Sequence, residues 1–142
     1  MAMSAQEESG FLLIDSSPEA PAIVKIVEKN FKADIDLAQD AASARRLLSE
    51  GGYSVVLLDL NLPDGALDLL SEICSAADHP QVIMLAEKGS HRTASKALRL
   101  GASDYLVKDD SLPVYLPKAI EDALRTLSVE RAKREKAESA AF

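Results

Sequence analysis

The stretch that most restricts how this chain can fold is SVVLLDLNLPDG, residues 54–65. Residues 55–58 are an unbroken apolar run, which suits a strand covered on both faces, and therefore a parallel sheet between layers of helix. The run stops abruptly at Asp59. A polar turn follows, with Asn61, Pro63, Asp64 and Gly65, and a new apolar pattern begins at Ala66. A carboxylate at the C-terminal tip of a buried parallel strand lies where open α/β sheets keep their binding crevices. Asp also commonly opens a turn after a strand, so the other strand ends must decide.

They repeat the pattern. Phe11, Leu12, Leu13 and Ile14 form a short apolar run that ends in Asp15. Ser17 is placed to cap the helix that follows, with Pro18 in its first turn; Ile23, Val24, Ile26, Val27 and Phe31 then recur at helical spacing. Residues 33–38 alternate Ile35 and Leu37 with acids, as in a strand near a sheet edge. Asp40 caps a second helix, with Ala41, Ala44, Leu47 and Leu48 facing inward, and Gly51 and Gly52 stop it. After the central strand, Leu67, Leu70, Ile73, Cys74 and Ala77 mark the inner side of a third helix. Residues 81–86 are another buried strand, Ser90 or Gly89 opens a fourth helix, and Gly101 ends it. Residues 104–107 are the last strand, with Lys108 at its end. Pro117 lacks the N–H that a helix interior needs, so the regular part of the fifth helix is expected to begin close to Leu116. Ala119, Ile120, Ala123, Leu124 and Leu127 supply its buried stripe. Beyond Leu127 the stripe fails, and residues 128–139 read as a charged, solvated helix laced by pairs such as Glu130–Arg134 and Arg131–Glu135 at i,i+4.

Five alternating βα units imply a parallel sheet with helices on both faces and right-handed crossovers. The central strands are expected near residues 11–15, 54–59, 81–86 and 103–107. The chain divides into a tail of residues 1–10, a single domain of residues 11–127 and a charged helical extension or linker of residues 128–142. With 142 residues, 47% of them hydrophobic, it can bury an ordinary core. A net charge of −7 argues against a generic nucleic-acid surface. The lone Cys74 cannot form an internal disulfide and suits a small core position. No apolar run approaches the roughly 20 residues of a membrane span, and the expected location is the cytoplasm.

In such a sheet the C-terminal ends of neighbouring strands converge, which brings Asp15, Asp59 and Lys108 to one edge. Two carboxylates a few ångströms apart repel by about 4 kcal/mol at an effective dielectric near 20. Lys108 or a divalent metal would offset that, and Mg²⁺ suits one or two carboxylates with phosphate oxygens and water. A carboxylate so placed can be a nucleophile toward a phosphoryl group. An Asp–Lys ion pair that merely neutralises buried charge fits the same spacing, and spacing alone leaves both open.

The segments LLIDSSP, VVLLDLNLPDG, VIMLAE and GASDYLVKDD resemble, in order and over about residues 11–127, the receiver domain of two-component response regulators. The resemblance implies a flavodoxin-like (βα)5 fold with strand order 2-1-3-4-5. It implies that Asp59 is the phosphoacceptor and that Lys108 contacts the phosphoryl group. Mg²⁺ would be held by Asp15, Asp59 and the backbone carbonyl of Asn61. Tyr105 matches an aromatic that changes rotamer on activation. The implied partners are a sensor histidine kinase or phosphotransfer protein, a downstream output domain, and a second copy of the chain through the fourth helix, fifth strand and fifth helix. Neither nucleic acid nor membrane is expected as a partner of the domain itself.

Three positions depart from the family pattern. Ser16 replaces the second acid at the end of the first strand and should weaken metal binding. Ala86 stands where a Thr or Ser hydroxyl normally carries the switch, and Glu87 follows where a small residue is usual. Asp109 replaces the proline after the lysine, where the family's bond is typically cis; a trans bond is expected here, because a non-proline cis bond costs about 2.5–4 kcal/mol. The turn after Pro63 is also one residue short. These departures favour a signalling receiver with a weakened Mg²⁺-dependent switch, the alternative being a degenerate receiver that acts as a constitutive interaction module. An enzyme is disfavoured. A haloacid-dehalogenase-type phosphatase needs a second acid where Asn61 stands, and Ser16, Ser17, Pro18 and Glu19 make a poor phosphate loop for a flavodoxin-like cofactor.

Overall fold

The computed structural model describes residues 10–140. The expected tail, apart from Gly10, lies outside the described residues. Five strands, β1 (Gly10–Ile14), β2 (Ile35–Ala38), β3 (Tyr53–Asp59), β4 (Gln81–Ala86) and β5 (Asp104–Val107), alternate with five helices. These are α1 (Ala20–Asn30), α2 (Ala41–Glu50), α3 (Ala66–Ser75), α4 (His91–Arg99) and α5 (Leu112–Ala140). The strands form one sheet in the order β2-β1-β3-β4-β5, every neighbouring pair parallel. The alternation and the expected strand order are therefore both present.

The continuous apolar runs are explained by the two faces of this sheet. Side chains alternate along a strand, and each set meets a helix layer. Leu12, Ile14, Val56, Leu58, Val82 and Met84 pack with Ala41 and Ala44 of α2, Leu69, Leu70 and Ile73 of α3, and Ala97 of α4. Phe11, Leu13, Val55, Leu57, Ile83 and Leu85 pack on the other face with Ile23 and Val27 of α1 and Leu116, Ile120 and Ala123 of α5. β2, at the edge, is thinner, and its Leu37 remains 41% exposed.

Punctuation follows the local chemistry in most places. The Asp40 carboxylate accepts from the Ser43 N–H at 2.7 Å and caps α2. The Ser90 hydroxyl accepts from the Thr93 N–H and caps α4. Gly101 ends the turn into β5 at φ +115°, and a Cβ there would lie 2.8 Å from the Cβ of half-buried Cys74. Only glycine meets both demands.

Four local expectations are corrected. Ser17 does not cap α1: the cap position is Glu19, without a side-chain cap bond, and Pro21 rather than Pro18 sits in the first turn. Ala77 lies beyond α3 and is exposed, because the helix ends at Ser75. α5 starts at Leu112 and carries Pro117 inside it; Leu112 and Leu116 are 5% and 0% exposed, and their burial offsets the single hydrogen bond that the proline forfeits. The charged end of α5 continues without a break past Leu127, and its arginines pair with the body of the domain instead of along the helix. Arg131 and Arg134 both reach Asp78 Oδ1, at 3.1 and 2.9 Å. Glu130 accepts from Gln81 Nε2 at 3.3 Å, while Gln81 Oε1 accepts from the Ser103 hydroxyl at 2.6 Å. Asp78 turns the chain between α3 and β4 in a left-handed conformation, φ 55°, which a short polar side chain tolerates.

Candidate functional site

β1 and β3 are neighbours, with Ile14 opposite Leu58, so the next residues, Asp15 and Asp59, stand side by side at the C-terminal edge. One strand further, Ala86 ends β4 opposite Val107 of β5, and the Lys108 N–H donates to the Ala86 carbonyl at 2.7 Å. From that anchor the Lys108 side chain reaches back over β4. Its Nζ lies 2.8 Å from Asp15 Oδ2, 3.1 Å from Ser17 Oγ and 3.4 Å from Asp59 Oδ1. The side chains of Lys108, Asp15 and Asp59 are 2%, 0% and 3% exposed. Each carboxylate is also held by the backbone of the turn that follows it. Asp15 Oδ1 accepts from the Ser17 N–H at 2.7 Å, and Asp59 Oδ1 from the Asn61 N–H at 3.1 Å.

The two acids are electrostatically unequal. Burial alone would push Asp15 up, but hydrogen bonds from Lys108 and Ser17, with the charge of Lys108, hold its carboxyl below the ordinary carboxylate value. Asp59 lies above it. Burial is the main cause, the hydrogen bond from Asn61 opposes it, and the neighbouring charge of Asp15 outweighs the attraction of Lys108. Two carboxylates and one ammonium leave a site with a formal charge of −1.

Ser16 is exposed and adds no carboxylate. Asn61 is exposed too, in a loop fixed from outside: both oxygens of Asp64 accept from the Ala41 N–H at the start of α2, each at 3.0 Å. Ala86 is 1% exposed and presents only a methyl group. Tyr105 pairs with Met84 in the sheet and is half-buried against the α2–α4 side of the core, its hydroxyl 3.4 Å from the Lys88 carbonyl. The described residues contain no cis peptide bond, so Lys108–Asp109 is trans. Ser17 is the residue whose place in the cluster local reasoning missed. Its hydroxyl looks like a cap in sequence, and only the fold delivers Lys108 to it. Among the described residues no group of three His, Cys, Asp or Glu side chains is arranged to hold a metal. The donors on hand for a hard cation are two carboxylates and backbone carbonyls, a set compatible with Mg²⁺, which keeps several waters.

A doubly wound flavodoxin-like sheet with two acids and a lysine at its strand ends defines a class of α/β domain that binds at this edge. The model of the response regulator receiver domain matches residues 11–120. PilR, a response regulator protein of Pseudomonas aeruginosa, is 35% identical over 98 residues, covering 68% of this chain and 22% of PilR. The structure of NtrX from Brucella abortus superposes with a TM-score of 0.82 at 26% identity, over 94% of this chain and 30% of NtrX. A CheY-like receiver domain protein from Methanospirillum hungatei shares the fold, with a TM-score of 0.75 at 21% identity over 86% of this chain and 98% of its own. The chain belongs to the response regulator receiver domain family of two-component systems, a family of signalling modules, and spans about a fifth of PilR, the curated relative named above. No helix among the described residues is long and apolar enough to cross a membrane.

Proposed function

We propose that this domain accepts a phosphoryl group on Asp59 within a cytoplasmic phosphorelay, from a sensor histidine kinase or phosphotransfer protein, and that its switch is weak. The observation that carries the reading is the ammonium of Lys108, which lies within ion-pair distance of both Asp15 and Asp59 at the sheet edge. An Asp59 oxygen attacks phosphorus; the new O–P bond forms as the bond between phosphorus and the donor breaks, and the electron pair leaves with the donor. Lys108 attracts the equatorial oxygens, and the Asn61 N–H orients the Asp59 carboxylate. Mg²⁺, held by Asp15, Asp59 and the Asn61 carbonyl, would supply further charge neutralisation when bound. Ser16 adds no charge to that set, so the affinity is low. Signal would leave through a downstream output domain or a second copy packed on α4, β5 and α5, where Leu98, Val114 and Tyr115 are 49%, 70% and 56% exposed.

A second reading, a degenerate receiver acting as a constitutive interaction module, is favoured by the buried methyl of Ala86, which cannot follow a phosphoryl group. Intact-mass analysis after acetyl phosphate and Mg²⁺ separates the two. Phosphoacceptance gives one added phosphoryl group in the parent and none in Asp59→Asn. An unmodified parent would leave the constitutive module.

A further inference from the structure

We propose that Ser17 is a positioning residue of this site: its hydroxyl restrains the Lys108 ammonium on the Asp15 side, and so limits the cation offered to Asp59 and to an anion placed on it. The inference rests on the reading of Asp59 as phosphoacceptor and adds a residue to which that reading gives no role.

The restraint is visible as a graded set of distances. An ammonium has three hydrogens to donate and no acceptor. Around Nζ stand three acceptors, Asp15 Oδ2 at 2.8 Å, Ser17 Oγ at 3.1 Å and Asp59 Oδ1 at 3.4 Å. The first two are within ordinary N–H···O range and the third is beyond it. Both short contacts come from the turn after β1. That turn is itself fixed, since the Ser17 N–H donates to Asp15 Oδ1 at 2.7 Å and the Ser17 carbonyl accepts from the Ala20 N–H at 3.2 Å. Lys108 is fixed at its other end by its N–H bond to Ala86. The ammonium is therefore stretched between two anchored points, with Asp59 as the weaker claimant.

An anion on Asp59 draws the ammonium toward β3. To follow, Nζ must give up the Ser17 hydroxyl, and a side chain 2% exposed has little access to water that would replace it. Removing the hydroxyl removes that opposition together with the side-chain hydrogen bond it makes to Asp15, while the backbone bonds of the turn, from the Ser17 N–H to Asp15 and from the Ala20 N–H to Ser17, remain. Threonine keeps the hydroxyl and should keep the restraint.

The test compares parent, Ser17→Ala and Ser17→Thr in two measurements on the full chain. With ¹⁵N-lysine labelling, the Lys108 ammonium resonance reports the restraint directly. It should be visible in the parent through slow hydrogen exchange, shifted and faster-exchanging in Ser17→Ala, and restored in Ser17→Thr. Titration with beryllofluoride at saturating Mg²⁺, followed by amide NMR, should show Ser17→Ala binding about 3- to 10-fold more tightly than the parent. An ammonium signal unchanged in Ser17→Ala, or too fast-exchanging to be seen in the parent, overturns the restraint, as does beryllofluoride affinity that is equal or weaker in Ser17→Ala. If none of the three proteins takes beryllofluoride, the phosphoacceptor reading fails, while the ammonium comparison still decides the role of Ser17.

Discussion

Lys108 donates to Asp15 at 2.8 Å across 93 positions of sequence, and neither side chain is more than 2% exposed. The pair is the centre of a buried charge cluster in which one cation serves two acids. Removing one partner of such a pair leaves uncompensated charge, at a cost of about 3–5 kcal/mol. Lys108→Met is expected to lose that much stability in a denaturant titration, and adding Asp59→Asn should return part of it. If Lys108→Met unfolds at the parent's midpoint, the cluster is not the charged one described.

Asp59 and Asp15 contribute to stability with opposite signs. Asp59 binds its proton more tightly folded than unfolded, so its contribution falls as pH rises from about 3.9, the unfolded value, through its raised folded value, and stays low above it. Asp15, held below the ordinary value, stabilises above the unfolded value and loses that stabilisation as pH falls through its folded value. Asp59→Asn should therefore raise Tm at pH 7, by about 2–6 °C for about 1 kcal/mol. The difference from the parent should shrink toward pH 4. Calorimetry over that range checks both the sign and the trend.

Ser16 is exposed beside a site with a formal charge of −1, and a carboxylate there would complete a third acidic donor for a hard cation. Ser16→Asp is expected to bind Mg²⁺ about tenfold or more tightly than the parent. Calorimetric titration showing equal affinities would remove the role assigned to Ser16.

At the end of β4, the Ala86 methyl is buried and has no hydroxyl to bond a phosphoryl group on Asp59, and a ligand shifts an equilibrium only through differential contacts. A beryllofluoride adduct on the parent should leave the amide resonances of Tyr105 and of the α4–α5 face nearly unchanged. Ala86→Thr combined with Ser16→Asp should enlarge those shifts, the restored bond to a charged group being worth about 1.5–3 kcal/mol. Large shifts through residues 86–107 in the parent would show that the switch operates without the hydroxyl.

The end of α5 is tied down by exposed charge. Asp78 and its arginine partners are roughly half exposed, and such pairs are worth about 0–1 kcal/mol. Asp78→Asn keeps a side chain suited to the left-handed turn. It should alter global stability by less than about 1 kcal/mol and speed amide exchange in residues 128–138. Unchanged exchange there would mean that packing alone holds the extension.

The order of elements was legible in the sequence because burial is written locally. A strand covered on both faces reads as a continuous apolar run, and Leu12 to Ile14, Val55 to Leu58 and Val82 to Ala86 are all buried accordingly. Asp15, Asp59 and Lys108 could be placed at strand ends for the same reason, since each interrupts such a run at a known point in a βα unit. What the pattern along the chain does not carry is distance between segments. Ser17 looks identical in sequence whether its hydroxyl caps a helix or accepts from an ammonium, and the choice depends on β5 lying three strands from β1, with a lysine side chain long enough to reach across β4 and β3. Arg131 and Arg134 look like members of i,i+4 pairs until the turn at Asp78 comes within reach. The start of α5 at Leu112, despite Pro117, follows from the burial of Leu112 and Leu116 in the core on the α1 side of the sheet. The sequence by itself determined which apolar runs form the buried strands and where each strand stops. Tertiary structure decided which polar groups share a site and how unequally one lysine divides its charge, because hydrogen bonds and ion pairs act over a few ångströms between residues that the chain separates by dozens of positions.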